Sequence, residues 1–300
     1  MSDFNEMFNL DAEDFKEAGK DSIMYKVSPK GGKNGVYSSL IRFIPWHKDP
    51  KNSIVEKWEA WLENPLTKKG MLLDCPSSVG KQSDLMDTYW KLKNSSSPQI
   101  QDKAKHFSRK RKFWTIVQIL KDDNRPELEG KLMIFKFGPK IYDKIQAELK
   151  PEYGQPHVPF SPFDGKPFHI KCKEVGGYPN YDESKFLNDP APIMLDGQLA
   201  QKGQDEQKLM EFLKESSPDL ESFGFKSWSD EQRKHFDEMV QVIMPTASKN
   251  AETVTKTQNA TTSTSAVTET ETPTVSETND SDTKEEAPKG PMNFNFNLDD

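Results

Sequence analysis

Residues 109–120 read Arg109-Lys110-Arg111-Lys112-Phe113-Trp114-Thr115-Ile116-Val117-Gln118-Ile119-Leu120, a basic run that passes directly into an apolar one. The second half predicts a β-strand, because β-branched and aromatic side chains favour a pleated surface. The turn-forming residues Lys121 to Asn124 follow it and end the strand. We therefore expect one long strand that organises the fold and carries positive charge at its beginning.

Three further short strands are expected around this one, each bounded by glycine, proline or turn residues. They cover residues 37–44, 131–137 and 168–175. In the second of them, alternation places Phe135 and Phe137 on the face opposite Lys136. Several short strands within one region predict a fold that is mainly β with some α. The leading candidate is the OB-fold, a five-stranded Greek-key barrel, here with helical additions.

Helices are predicted for residues 139–149, 205–214 and 229–243. The third begins with a capping box, in which Ser229 is the N-cap and Gln232 stands three residues later. Residues 53–62 fit two structures. Their apolar side chains have helical spacing, whereas Trp58 and Trp61 would equally suit a pair of strands.

The net charge of -7 is unevenly distributed along the 300 residues. Residues 1–20 hold six acids against two lysines, and residues 244–300 hold ten acids against four lysines. Residues 103–173, in contrast, hold sixteen Lys and Arg against eight Asp and Glu. The whole-chain charge would disfavour an anionic partner, but its distribution predicts a basic core that attracts one.

Several classes of protein are disfavoured by the sequence. The longest apolar stretch, residues 115–120, is too short to span a bilayer, and the acidic N-terminus does not resemble a secretory signal. Cys75 and Cys172 make no disulfide framework and no CxxC motif, so we expect no zinc site of the finger or ribbon type. We expect no membrane partner and a cytoplasmic location.

Basic side chains beside aromatic ones indicate binding of a single-stranded nucleic acid, because phosphates need fixed positive charge and unpaired bases stack on aromatic rings. For Trp114, burial in a barrel is an equally good interpretation. The candidate nucleic-acid-binding residues are Arg42, Arg109, Lys110, Arg111, Lys112, Phe113, Trp114, Phe135, Lys136, Phe137, Lys140, Lys171, Lys173, Tyr178 and Tyr181.

No catalytic motif is recognisable in the sequence, so we expect a protein that is not an enzyme and has no catalytic residues. The acid pairs Asp122-Asp123 and Asp182-Glu183 could hold Mg²⁺ in a nuclease, but Asp122-Asp123 lies in an evident turn and fits a solvated loop better. A metal-dependent nuclease is therefore the weakest of the alternatives.

The two ends of the chain share a pattern of aromatic and acidic residues. From Pro245 onward the composition predicts a disordered tail, which ends in an aromatic, acidic tip typical of a docking peptide. The candidate partner-binding residues of this tip are Phe294, Phe296, Leu298, Asp299 and Asp300. The tetrapeptide Phe296 to Asp299 repeats Phe8 to Asp11 of the N-terminal arm, which suggests a shared docking function.

The chain resembles the T-even-phage-type single-stranded DNA-binding (helix-destabilising) proteins. The resemblance covers about residues 35–195, and its most specific block is Tyr178-Pro179-Asn180-Tyr181-Asp182-Glu183-Ser184-Lys185-Phe186-Leu187-Asn188. It also runs through Ile41 to Pro45, Lys110 to Trp114 and Glu129 to Ile145. The resemblance implies an OB-fold whose cleft binds single-stranded DNA without sequence preference. It further implies an acidic C-terminal domain that recruits replication and recombination proteins.

Two departures from this family stand out. The family's zinc subdomain uses one His and three Cys, whereas here only Cys75 stands at such a position and residues around Leu85 to Thr88 replace the later pair. We therefore expect no cofactor, and an insertion at residues 53–94 held together by apolar side chains. The family's N-terminal arm is basic and drives cooperative binding. This arm is acidic, so self-association would depend on Phe4, Phe8 and Phe15 or on a different segment.

The sequence thus predicts three parts, an arm at residues 1–20, a DNA-binding core at 21–243 and an acidic tail at 244–300. We expect the protein to coat and protect single-stranded DNA in viral replication, recombination and repair. The alternative is an OB-fold protein that binds single-stranded RNA, since a stacking cleft tolerates either sugar.

Overall fold

Residues 23–244 are the part of the chain that the computed structural model describes, and they form a mixed fold of strands and helices. The predicted arm, and the tail from residue 245 with its docking tip, lie outside these residues. The strands are β1 (Met24–Tyr25), β2 (Val36–Ile44), β3 (Ile54–Glu63), β4 (Gly70–Asp74), β5 (Lys110–Lys121), β6 (Leu132–Phe137), β7 (Phe168–Val175), β8 (Tyr178–Asn180), β9 (Lys185–Phe186), β10 (Met194–Leu195) and β11 (Gln198–Leu199).

Five α-helices lie within the described residues. They are α1 (Asp84–Lys93), α2 (Pro98–Lys103), α3 (Pro139–Leu149), α4 (Glu206–Ser216) and α5 (Asp230–Ile243). Short 3-10 helices form at Pro29–Gly31, Pro50–Asn52, Pro76–Val79, Ala104–Phe107, Pro126–Leu128 and Leu220–Phe223. None of the helices within residues 23–244 is long and apolar enough to cross a membrane.

Strand β5 is the centre of a nine-stranded sheet. At twelve residues it is long enough to pair with two strands along one edge, β3 beside its first half and β2 beside its second half. Its other edge pairs with β6. Strand β4 pairs with the far edge of β3, and β7 pairs with β2. This arrangement leaves the basic beginning of β5 paired with β3 alone, because the pairing with β6 starts at Phe113, and it lies away from the β2–β7 side of the sheet.

The main core is formed by the inward-facing side chains of the sheet and by α3. Phe113, Val117, Phe135 and Phe168 are all nearly or fully buried in it, as alternation along their strands requires. Ile141 and Ile145 of α3 pack on the same cluster at the spacing of one helical turn.

A second cluster, which we call the hairpin core, lies beneath β3 and β4. It joins buried side chains of the hairpin to α1 and α5, and its fully or nearly buried members are Ala60, Leu62, Leu73, Cys75, Leu85, Leu92, Ala104, Phe107, Phe236, Met239 and Ile243. A third cluster joins Trp114 and Ile116 of β5 to Leu209 and Leu213 of α4. Helix α4 therefore covers one end of the outer face of β5 and leaves the basic end uncovered.

Most strands and helices predicted from the sequence are confirmed. The strand predicted at residues 37–44 is β2, and that at 168–175 is β7. The capping box is present, with Ser229 accepting from the Gln232 backbone N–H and the Gln232 side chain returning to the Ser229 backbone. Residues 54–63 form a strand, which resolves the ambiguity at 53–62.

Candidate nucleic-acid interface

Alternation along β5 divides its basic and aromatic residues between two faces. Lys110, Lys112 and Trp114 point outward, and we call them the outer row. Arg111 and Phe113 point to the opposite face, where Phe113 is fully buried. The six residues predicted as one site therefore make two different environments.

Trp114 lies between two ammonium groups rather than in the main core. The Nζ atoms of Lys57 and Lys136 each lie 4.8 Å from the centre of its ring. Both lysines are held by acids, since Lys57 pairs with Asp74 at 2.9 Å and Lys136 pairs with Glu59 at 2.6 Å. Only 3% of Trp114 is exposed, so it supports the basic surface and does not offer a free stacking face.

Lys110 and Lys112 carry the uncompensated charge of this surface. Neither makes an ion pair with another side chain in the part of the chain that the structure describes. Partial burial, and then the neighbouring charges of Lys136 and Lys110, lower the pKa of Lys112. A phosphate bound here would relieve that repulsion, because an opposite charge favours the ammonium form.

The opposite face of β5 is closed. Arg111 donates from Nε and Nη2 to both carboxylate oxygens of Glu56, at 2.6 and 2.7 Å, and these hydrogen bonds raise its pKa. Phe113 stacks on Tyr142, with ring centres 4.1 Å apart and an angle of 6° between the planes. Tyr142 thus occupies the face of Phe113 on which a base was expected to stack.

Phe135 and Phe137 also lie in the main core, 1% and 4% exposed. Together with Phe113 they correct the sequence prediction of direct base contacts, because a ring with no exposed face cannot stack on a base. Their apolar strand positions, which alternate with Lys136, explain the burial.

Arg42 requires the same correction. Its side chain is fully buried, and its guanidinium donates to four backbone carbonyls, those of Phe43, Pro159, Ser161 and Ala191. Burial lowers its pKa. These hydrogen bonds connect the loop at residues 159–165 to β2. The guanidinium is therefore not accessible to a phosphate.

Arg109 lies on the side of the hairpin core. Its guanidinium carbon is 4.1 Å from the centre of the Trp58 ring, and Nη1 donates to the hydroxyl of Ser77. Arg109 is therefore stacked on Trp58, a ring that packs against the hairpin core. The arginine does not belong to the outer row.

A second group of predicted residues gathers around the acid pair Asp182-Glu183. Glu183 pairs with Lys171 at 2.5 Å and with Lys173, and these contacts lower its pKa to about 2. Asp182 pairs with Lys140 at 2.6 Å. The lysines predicted to bind phosphate are therefore occupied by the protein's own carboxylates.

The two tyrosines near this acid pair differ. Tyr178 is 72% exposed and offers a free ring. Tyr181 is half-buried against the main core, and its hydroxyl donates to the Val27 carbonyl at 3.3 Å. Burial raises the pKa of Tyr181. Only Tyr178 is accessible for stacking.

The prediction of a solvated loop is wrong for Asp122, which lies in a buried hydrogen-bond network. Asp122 is fully buried and accepts hydrogen bonds from the hydroxyls of Tyr25 and Tyr37, at 2.8 and 2.6 Å. Burial opposes ionisation of Asp122, yet these two donors, the Asn124 backbone N–H and the charge of Arg125 together outweigh it and lower the carboxyl pKa. Within residues 23–244 no cluster of three or more His, Cys, Asp or Glu is placed to bind a metal.

The region of the family's zinc subdomain has a donor set that does not fit zinc. The Cys75 thiol lies 3.1 Å from the Ser77 hydroxyl and 3.4 Å from that of Ser83. Leu85, near the positions of the later cysteines, is fully buried in the hairpin core. Among the described residues, the surroundings of Cys75 offer hydroxyls and apolar side chains and not the further thiolates that such a site needs.

Comparison with known proteins gives a consistent result. The sequence model of a family described as gp32 DNA binding protein like matches residues 33–243. The single-stranded DNA-binding protein of Enterobacteria phage T4 is 28% identical over 252 residues, covering 81% of this chain and 80% of the phage protein. The single-stranded DNA-binding protein of Enterobacteria phage T2 shows the same identity and coverage. Both relatives are named for binding and not for catalysis.

Proposed function

Because this chain belongs to the gp32-like family of DNA-binding proteins, we propose that it binds single-stranded DNA without sequence preference through the basic end of β5. The family is one of binding proteins, so the chain is not an enzyme. The observation that carries the proposal is the outer row, in which Lys110 and Lys112 lack acidic partners among the described residues. The neighbouring lysines Lys57 and Lys136, in contrast, are each paired with a carboxylate.

The contact surface we propose is narrower than the sequence suggested. Lys110 and Lys112 bind phosphates, with Trp114 and Lys136 next to them on the same face of the sheet. Tyr178 stacks on a base, and Lys140, Lys171 and Lys173 take part once their acids release them. Arg42, Phe113, Phe135 and Phe137 shape the fold that presents this surface.

We also infer that the sheet is an OB-fold barrel. In support, strands β2, β5, β6 and β7 share one core, which α3 caps. The division into an arm at 1–20, a core at 21–243 and a tail at 244–300 belongs to the same proposal, as does the absence of a zinc requirement. Metal analysis of the purified protein tests the last point, and stoichiometric zinc would contradict it.

The biological setting we propose is the host cytoplasm during phage replication, recombination and repair. The acidic tail, through Phe294, Phe296 and Leu298, would recruit replication and recombination proteins, and copies would self-associate along DNA. Support comes from the aromatic and acidic composition of the tip. A replication protein that binds equally well to a chain lacking residues 245–300 would contradict the recruitment role.

The direct test is titration with fluorescein-labelled oligo-dT over a salt series. Lys110→Gln combined with Lys112→Gln should weaken binding about 25-fold at 0.1 M salt, since each single-strand phosphate contact contributes about fivefold there. The slope of log K against log salt should become shallower by about 1.4. Unlabelled ssRNA of the same length, added as a competitor, measures the preference for DNA.

The matched control is Lys91→Gln with Lys93→Gln on α1, two exposed lysines on the far side of the hairpin. This control should leave affinity and slope unchanged. Equal losses in the two double variants would mean that net charge, and not the outer row, determines binding.

A further inference from the structure

The hairpin of β3 and β4 carries an exposed tryptophan that no part of the proposed function uses. Trp61 is 58% exposed, whereas its neighbours Ala60 and Leu62 are buried in the hairpin core. Strand alternation therefore turns its indole away from α1 and α5, toward the outer face of the sheet. Leu72, its direct cross-strand partner, is exposed on the same face.

The indole is supported on one side only. A Cβ atom added at Gly70 would overlap the six-membered ring of Trp61, so the ring lies against the glycine backbone. This contact holds the ring in place and accounts for a glycine within a strand, where it is otherwise unfavourable. More than half of the residue, 58%, is nevertheless exposed to solvent.

Trp61 shares its face with the outer row. Glu59 lies directly opposite Lys110, and Lys57 lies opposite Lys112. Since residues two apart on a strand share a face, Lys57, Glu59 and Trp61 line up beside the outer row. Trp61 lies about 7 Å beyond the Glu59–Lys110 pair along the strand, at a rise of about 3.3 Å per residue.

The charges on this face, from the outer row to Trp61, favour binding of a single strand of DNA. The carboxylates of Glu59 and Asp74 are already neutralised by Lys136 and Lys57. Beyond Trp61 the face carries the exposed Glu63, so the favourable track ends at the tryptophan.

We propose that Trp61 is a stacking platform for one unpaired nucleobase, whose backbone phosphates lie on Lys110 and Lys112. The inference rests on the proposed function and extends the DNA path from β5 onto the hairpin. Stacking on an aromatic ring needs only a flat apolar face, so the site takes any base.

The test measures anisotropy of a labelled oligo-dT short enough to bind one copy. Trp61→Leu should weaken binding between about 5-fold and 150-fold, the range that corresponds to the loss of one stacked base. The salt slope should stay unchanged, because no charge is removed. Trp61→Phe should retain most of the affinity.

Trp90→Leu is the matched control, since this tryptophan is 43% exposed on α1, behind the hairpin. If wild type binds the oligonucleotide and Trp61→Leu binds equally well, the stacking inference is overturned while the proposed function stands. If wild type does not bind at low salt, the proposed function fails first. A Trp61→Leu variant that changes only sedimentation, and not binding, would assign the face to a second copy of the chain and overturn the inference.

Discussion

A chain carrying both Asp182→Asn and Glu183→Gln is expected to bind single-stranded DNA about 25-fold more tightly than wild type at 0.1 M salt. The two carboxylates hold Lys140, Lys171 and Lys173 in ion pairs. Removing them leaves these lysines without a counter-charge, so DNA phosphates can take the places of the acids. Two net positive charges gained correspond to about two additional phosphate contacts.

The low pKa of Glu183 explains why the effect requires substitution and not mild acid. Its hydrogen bonds to Lys171 and Lys173 hold the pKa at about 2, so the carboxylate stays ionised at any pH at which DNA binding is measured. In wild type, DNA must displace the acid from the lysines before it gains their charge. The carboxylates therefore act as an internal competitor of the phosphates.

The measurement is the same anisotropy titration over a salt series, in which the slope should steepen by about 1.4. Asp237→Asn with Glu238→Gln is the matched control, an adjacent and exposed acid pair on α5. If the two double variants gain affinity equally, the gain comes from overall charge. If Asp182→Asn with Glu183→Gln gains nothing, the lysines around the acid pair lie outside the DNA path.

The elements of the fold that could be predicted are those whose signal is local. The length and β-propensity of residues 113–120 identified β5, and the Ser229 and Gln232 pair identified the start of α5. Residues 53–62 remained ambiguous because tryptophans at positions 58 and 61 satisfy a helical period. Pairing with β4, and with β5, which is remote in sequence, determines that they form a strand.

The candidate site was harder to predict, because exposure is a property of the assembled structure. Phe113 and Trp114 are neighbours in sequence, yet one stacks on Tyr142 of α3 and the other lies between two lysines. Trp61 does not stand next to a basic run in the sequence. Its alignment with Lys110 follows from strand register alone. Alternation along β3 and β5, applied together, was the available signal for it.

Replacing Arg42 by methionine is expected to lower the free energy of unfolding by at least about 3 kcal/mol, because several buried carbonyls lose their donor at about 1–3 kcal/mol each. The guanidinium satisfies the carbonyls of Phe43, Pro159, Ser161 and Ala191. Methionine fills a similar volume but donates no hydrogen bond, so these buried acceptors lose their partner.

Gly165→Ala should lower the free energy of unfolding by about 1–3 kcal/mol through overpacking, since a Cβ there would overlap the Arg42 guanidinium.

Urea unfolding followed by circular dichroism measures these losses, with Arg233→Met as the control. Arg233 is half exposed and pairs with Asp84 on the surface, so its loss should cost no more than about 1 kcal/mol. Gly31→Ala, which meets only ordinary contacts with Tyr37, is the control for the glycine. An Arg42→Met chain that keeps its stability but loses affinity for single-stranded DNA would reverse the assignment. Arg42 would then bind DNA, as the sequence pattern alone suggested, and the loop at residues 159–165 would have to open to expose it.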